Sequence, residues 1–179
     1  RWSFDAPERI ESAAALSQEL VCFGTLSGSV HGVDVASGEQ RWKVALDGPV
    51  RSSCVIEGDG LYVGTRAGEM VRLDVATGKE AWKRTLPGEI SAAAAVYEDL
   101  VLVGCWDAGI HALSAADGSE VWVFKAQAPV SSSPAVAEGT VYCGTDDHGL
   151  YALSTRDGEL IWRADLKGQV RSSAALTEE

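Results

Sequence analysis

The sequence predicts an all-β fold, a β-propeller built of four-stranded blades, and three observations carry that prediction. Trp2, Trp42, Trp82, Trp122 and Trp162 lie 40 residues apart with no insertion between them. Gly24, Gly64, Gly104 and Gly144 keep the same interval, as do Gly38, Gly78, Gly118 and Gly158. Self-similarity at a fixed period of this length marks a repeat architecture. Within each period the sequence reads as short apolar runs cut by glycine turns, and no segment sustains a 3.6-residue periodicity, so helical solenoids fail.

The second repeat justifies each element in turn. GPVRSSCVIEG supplies a first strand rich in small residues, DGLYVGT a second, GEMVRLDV a third and KEAWKRTL a fourth. Strands of about 5–6 residues joined by short turns fill the period. The third and fourth strands meet at Ser37-Gly38, Thr77-Gly78, Asp117-Gly118 and Asp157-Gly158. Glycine there supplies the positive φ of a tight hairpin turn. Gly28, Gly68, Gly109 and Gly149 are expected to serve the preceding turn, with a drift of one residue in the later copies. Ser12-Ala13-Ala14, Ser52-Ser53, Ala92-Ala93-Ala94, Ser131-Ser132-Ser133 and Ser172-Ser173 give the first strand small side chains. That suits a strand nearest a crowded central axis.

In register, residues 1–179 form one propeller segment. Blades are expected at 7–46, 47–86, 87–126 and 127–166, with an outer-strand remnant at 1–6 and an inner-strand remnant at 167–179. The remnants lack the two middle strands of a blade and so cannot pair directly. About four blades make half of a seven- or eight-bladed ring, which leaves two apolar blade faces open to association.

Composition narrows the function. The net charge of −11 disfavours a phosphate-backbone partner, so no nucleic acid is expected. The longest smooth apolar run, Ala92 to Val96, is far below the ~18 residues of a membrane span, so no membrane insertion is expected. Cys22, Cys54, Cys105 and Cys143 fall on four different repeat positions and show no CxxC spacing. They read as small buried hydrophobes. Unpaired thiols tilt the compartment weakly toward the cytoplasm.

The recurring stretches GVDVASGEQRW, RLDVATGKEAW, ALSAADGSEVW and ALSTRDGELIW carry a resemblance. With the VYCGT and LYVGT strands and the SSPAV stretch, they resemble the PQQ-like, or quinoprotein, propeller repeat with its tryptophan-docking motif. The resemblance covers essentially the whole chain and extends to the BamB-like non-catalytic branch and to propeller regions of some bacterial kinases. It implies that each motif Trp packs between neighbouring blades, against the small residue and the glycine of the motif. It also implies relatives that are often periplasmic, against the weak lean from the cysteines.

No residue set stands out as catalytic, cofactor-binding or metal-ligating, and no cofactor is expected. A PQQ-dependent oxidoreductase would need a quinone site with calcium, a catalytic aspartate and, in the alcohol dehydrogenases, adjacent cysteines. The chain has no Cys-Cys pair, and Asp34 and Asp74 are motif positions suited to turn capping. Asp146-Asp147-His148 could ligate a metal but reads as a polar turn, and His31 and His111 read as strand residues. The partner-facing candidates are Glu11, Arg51 and Arg171, equivalent across copies, and Trp106, in a turn that needs no aromatic for packing. The expected function is a non-catalytic scaffold for protein–protein interaction or assembly. The alternatives are a fragment of a quinoprotein oxidoreductase and a self-assembling half-propeller that closes a ring as a homodimer.

Overall fold

A computed structural model describes residues 1–6 and 8–176. Pro7, which opens the first expected blade, and 177–179 at the end of the inner-strand remnant lie outside the described residues.

Sixteen strands follow one another with no helix among the described residues. The first blade holds β1 (Ala15–Leu16), β2 (Leu20–Gly24), β3 (Ser29–Asp34) and β4 (Gln40–Ala45). The second holds β5 (Val55–Glu57), β6 (Gly60–Gly64), β7 (Glu69–Asp74) and β8 (Glu80–Thr85). The third holds β9 (Ala95–Tyr97), β10 (Leu100–Gly104), β11 (Gly109–Ser114) and β12 (Glu120–Lys125). The fourth holds β13 (Ala135–Ala137), β14 (Thr140–Gly144), β15 (Gly149–Ser154) and β16 (Leu160–Asp165). Each blade is an antiparallel meander in chain order. First strands of neighbouring blades lie side by side, β1 by β5 and β9 by β13. The four blades do not close a ring.

The middle strands are buried on both faces and read as near-continuous apolar runs, such as Leu61, Tyr62 and Val63 on β6. Outer strands alternate, because only one face meets the next blade; on β8 only Trp82 is buried. The hydrophobic core therefore sits between blades. One cluster joins Leu20, Cys22 and Val30 of the first blade to Leu61, Val63 and Leu73 of the second.

Two plugs fasten each blade to the next. Trp42, Trp82 and Trp122 lie flat on Gly78, Gly118 and Gly158 of the following blade. Their indole N–H groups donate to the carbonyls of Val75, Ala115 and Thr155 at 3.0, 2.9 and 2.8 Å. A β-bulge follows the residue opposite each tryptophan, between Gly32 and Val33 in the first blade. A bulge bends its strand and re-aims side chains. The second plug runs the other way. Val50, Ile90, Val130 and Val170 fill the space above Gly24, Gly64, Gly104 and Gly144 of the preceding blade. Their amides donate to the carbonyls of Thr25, Thr65, Cys105 and Thr145 at 3.0–3.1 Å.

The ends depart from this pattern. Trp2 seats on Gly38 and donates to the Val35 carbonyl at 2.7 Å, yet stays 42% exposed. Trp162 docks on no blade among the described residues and is 42% exposed, against 6–9% for its three buried equivalents. The two remnants expected as strands form none among the described residues, because no middle strand is present to pair with them.

Two sequence expectations need correction. The small residues Ser52-Ser53 and their equivalents precede the first strands rather than forming them; β5 begins at Val55. They act through their hydroxyls instead. Ser52 donates to the Gly64 carbonyl at 2.9 Å and accepts from the Gly64 amide at 2.7 Å, and Ser12 and Ser132 do the same for Gly24 and Gly144. Nor do Gly109 and Gly149 serve the turn as Gly28 and Gly68 do. The left-handed position in the later blades falls to Ala108 (φ 64°) and His148 (φ 68°). Gly109 and Gly149 open β11 and β15, where a side chain would overlap the rings of His111 and Tyr151.

Candidate interaction face

The four partner-facing candidates lie in successive blades near one repeated turn, and Glu11 and Arg51 meet directly. In each blade the turn after the second strand is tied to the segment that enters the first. The amides of Leu26, Arg66, Trp106 and Asp146 donate to the carbonyls of Arg9, Pro49, Glu89 and Pro129 at 2.9–3.1 Å. This sets the side chain in the turn beside the one heading the inner segment, and repetition turns the pairs into a belt.

Along the belt nearly every charge has a partner. Glu11 binds Arg9 at 2.8 Å and Arg51 of the next blade at 2.9 Å. Arg66 binds Glu89 at 2.9 Å. Asp146 accepts two bonds from Arg171, at 3.0 and 2.9 Å, and one from Ser131 at 3.2 Å. The Arg171 bond and charge, with the Ser131 hydroxyl, hold the Asp146 carboxyl below its ordinary range despite partial burial. Between the Arg66–Glu89 and Asp146–Arg171 pairs stands Trp106. Its indole is 49% exposed and its N–H donates to the Ser91 hydroxyl at 3.0 Å. The indole is held in one orientation and flanked by charges that neutralise each other.

Other candidates separate. Asp146 and Asp147 belong to different networks: Asp147 accepts from the Gly149 amide at 2.9 Å and from the Tyr151 hydroxyl at 2.7 Å. His148 is exposed, so the three side chains of that turn do not converge on one point. Asp34 caps its turn by accepting from the amides of Ala36 and Ser37, and Asp74 does so with Thr77. His31 is buried, stacks on Phe23 at 5.1 Å and meets Gln40 through Nδ1 at 2.9 Å. The four cysteines are buried and free, and desolvation pushes Cys54 and Cys143 up to about 12.

One constellation escaped sequence reasoning. Cys105, Asp107 and His111 bring their ligand atoms within 4.8 Å of one another in the third blade. Its signal in the sequence is the stretch Cys105-Trp106-Asp107 followed by His111 four residues on, a spacing that brings the side chains together only once the turn after β10 is formed.

The family model described as outer membrane protein assembly factor BamB matches residues 26–127 and again residues 106–179. The chain belongs to this family. The BamB of Moraxella catarrhalis shares its fold at a TM-score of 0.79 and 25% identity, covering 86% of this chain and 48% of that one. This BamB-like chain thus spans about half the length of that relative. Two computationally designed proteins share the fold alone. Ika4 has a TM-score of 0.77 at 18% identity and covers 85% of this chain and 95% of its own. Ika8 has a TM-score of 0.67 at 15% identity and covers 98% of this chain and 68% of its own. No curated protein sequence matches.

Proposed function

We propose that this BamB-like segment is a non-catalytic scaffold for protein–protein interaction, and that it meets its partner through the belt centred on Trp106. The observation that carries the reading is the pre-oriented, half-exposed indole on a rigid blade edge. Aromatic anchors of this kind dominate interface energetics, and surrounding paired charges exclude wrong partners more than they add affinity. The family description names an assembly factor, which supports an assembly role of the same kind. A photo-crosslinking amino acid placed at position 106 in cells tests the reading. A single discrete adduct that is lost on Arg51→Glu and absent with the probe at Arg84 supports it. No adduct, or one that also forms at Arg84, overturns it.

Trp162 favours a second reading, in which a further blade of the same repeat type covers the open face of the fourth blade. That blade could come from a second copy, and the first blade offers the Gly38 seat that Trp162 lacks. Trp2 occupies that seat and must leave. Light scattering decides the point. Twice the protomer mass, enhanced by Trp2→Ala and abolished by Trp162→Ala, supports ring closure by a homodimer; a monomer in all three proteins removes it.

A further inference from the structure

We propose that Cys105, Asp107 and His111 form a binding site for a zinc-class divalent transition metal in the third blade. Their three ligand atoms lie within 4.8 Å of one another. A tetrahedral zinc ion with bonds of about 2.0–2.3 Å holds its ligand atoms roughly 3.4–3.8 Å apart, so a small inward movement of the side chains completes the set. A thiolate, an imidazole and one carboxylate select zinc-like ions and exclude magnesium and calcium, which take oxygen ligands.

The arrangement around His111 points the same way. Its Nδ1 meets the Glu120 carboxylate at 3.1 Å, and the ring is only 2% exposed. A carboxylate that accepts from Nδ1–H leaves Nε2 facing the cluster, the relation that supports metal-bound histidines. Nε2 stands 3.2 and 3.3 Å from the two oxygens of Asp107. Without a metal a proton on Nε2 makes this contact a hydrogen bond to Asp107, and a bound ion takes that proton's place. Gly109 leaves the room: a side chain there would overlap the His111 ring.

Cys105 stands where the other three blades carry threonine. Thr25 and Thr145 donate to the carbonyls of Ser29 and Gly149, and Thr65 accepts from the Glu69 amide. In the third blade Asp107 accepts from the Gly109 amide at 2.8 Å, as Asp147 does from Gly149 in the fourth, and the Cys105 sulfur contacts Asp107. Burial pushes the Cys105 thiol up to about 11, which makes it inert as a nucleophile; a coordinated metal deprotonates it outright. The Lys125 ammonium contacts Asp107 and is the competitor. Its side chain is about half exposed, so it can swing into solvent. The ion would staple the turn after β10 to strand β11, beneath Trp106.

Titrating the reduced, chelator-treated full chain with cobalt(II), then zinc, tests the site. The expected result is one equivalent of cobalt giving a near-ultraviolet thiolate charge-transfer band and visible bands of tetrahedral intensity, both bleached by zinc. Cys105→Thr restores the residue of the other blades and abolishes the charge-transfer band. Asp107→Ala and His111→Val install the residues of the second blade, Ala67 and Val71, and weaken zinc. Glu120→Gln, which only positions His111, weakens zinc by about 10–100-fold, and Lys125→Gln tightens it. Because each of the first three replacements is already carried elsewhere in the repeat, circular dichroism is expected to show native folds without metal. No charge-transfer band in the wild-type chain, or its survival in Cys105→Thr, overturns the proposal. So does equal zinc affinity in the wild-type and His111→Val proteins.

Discussion

Replacing single tryptophans by alanine separates interblade docking from simple burial, and Trp82 and Trp162 are the informative pair. Both sit at the same place in their blades, opposite Arg72 and Ala152, just before a bulge. Trp82 is 6% exposed and donates a hydrogen bond to the next blade; Trp162 is 42% exposed and docks on no blade among the described residues. A buried indole covers about 200 Å², so the additional third of its surface that Trp82 hides is worth roughly 2 kcal/mol at about 25 cal/mol per Å². The hydrogen bond adds about 1 kcal/mol. Trp82→Ala is therefore expected to cost about 4 kcal/mol, within the usual range for such truncations, and Trp162→Ala about 1 kcal/mol. Urea unfolding followed by far-ultraviolet circular dichroism measures both against the wild type. Repeat proteins lose cooperativity when one interface weakens, so a broadened or biphasic transition in Trp82→Ala fits the same mechanism. Equal losses at the two positions would refute the argument, because burial against the next blade would then contribute nothing.

Four further outcomes follow from the structure. Ala92 stands where Ser12, Ser52 and Ser132 bridge the amide and carbonyl of a buried glycine, so Ala92→Ser is expected to raise stability by about 1 kcal/mol, read by urea midpoint. Gly64→Val drives a side chain into Ile90 and is expected to cost about 3 kcal/mol in the same assay. Cys54 and Cys143 are buried with thiols pushed up to about 12, so Ellman's reagent at neutral pH should label them only on unfolding. Asp146 has a folded pKa below its unfolded value, so its contribution is complete above about pH 4 and fades as pH falls through the folded pKa. Arg171→Gln removes the largest cause of that depression, and an acid titration followed by fluorescence should show its unfolding midpoint moving up in pH. The shift is small, because the Arg171 side chain is 62% exposed and solvent screens the pair.

The blade was legible because its causes repeat. One glycine turn has several origins when seen once, but Gly38, Gly78, Gly118 and Gly158 at one interval admit a common cause, the positive φ that all four adopt. The limits were equally physical. Periodicity places a residue in a blade without saying what its side chain does there: it shows that Ser52 is small, whereas its hydroxyl is what bridges Gly64. Gly109 was read as a turn residue because glycine answers two needs, backbone freedom and empty space, and only the position of the His111 ring shows which applies.

The candidate face and the third-blade cluster show where function can be sought in a repeat protein. Positions that all blades share, such as the docking tryptophans, are accounted for by packing. Information specific to this chain lies where one blade departs from the others and the departure is not repaired by packing. The third blade departs at several neighbouring positions: Ala92 for serine, Cys105 for threonine, and Trp106, which no other blade carries in that turn. Loss of the serine bridge removes two hydrogen bonds from that turn's base, a cost of order 1 kcal/mol or more. The indole makes a hydrogen bond to Ser91, and the buried thiol packs in the core between the second and third blades. Their shared location argues that the belt and the Cys105–Asp107–His111 cluster are one region, with the lower layer fixing the turn that presents Trp106. If so, zinc binding and crosslinking at position 106 should be coupled, and Cys105→Thr should weaken both.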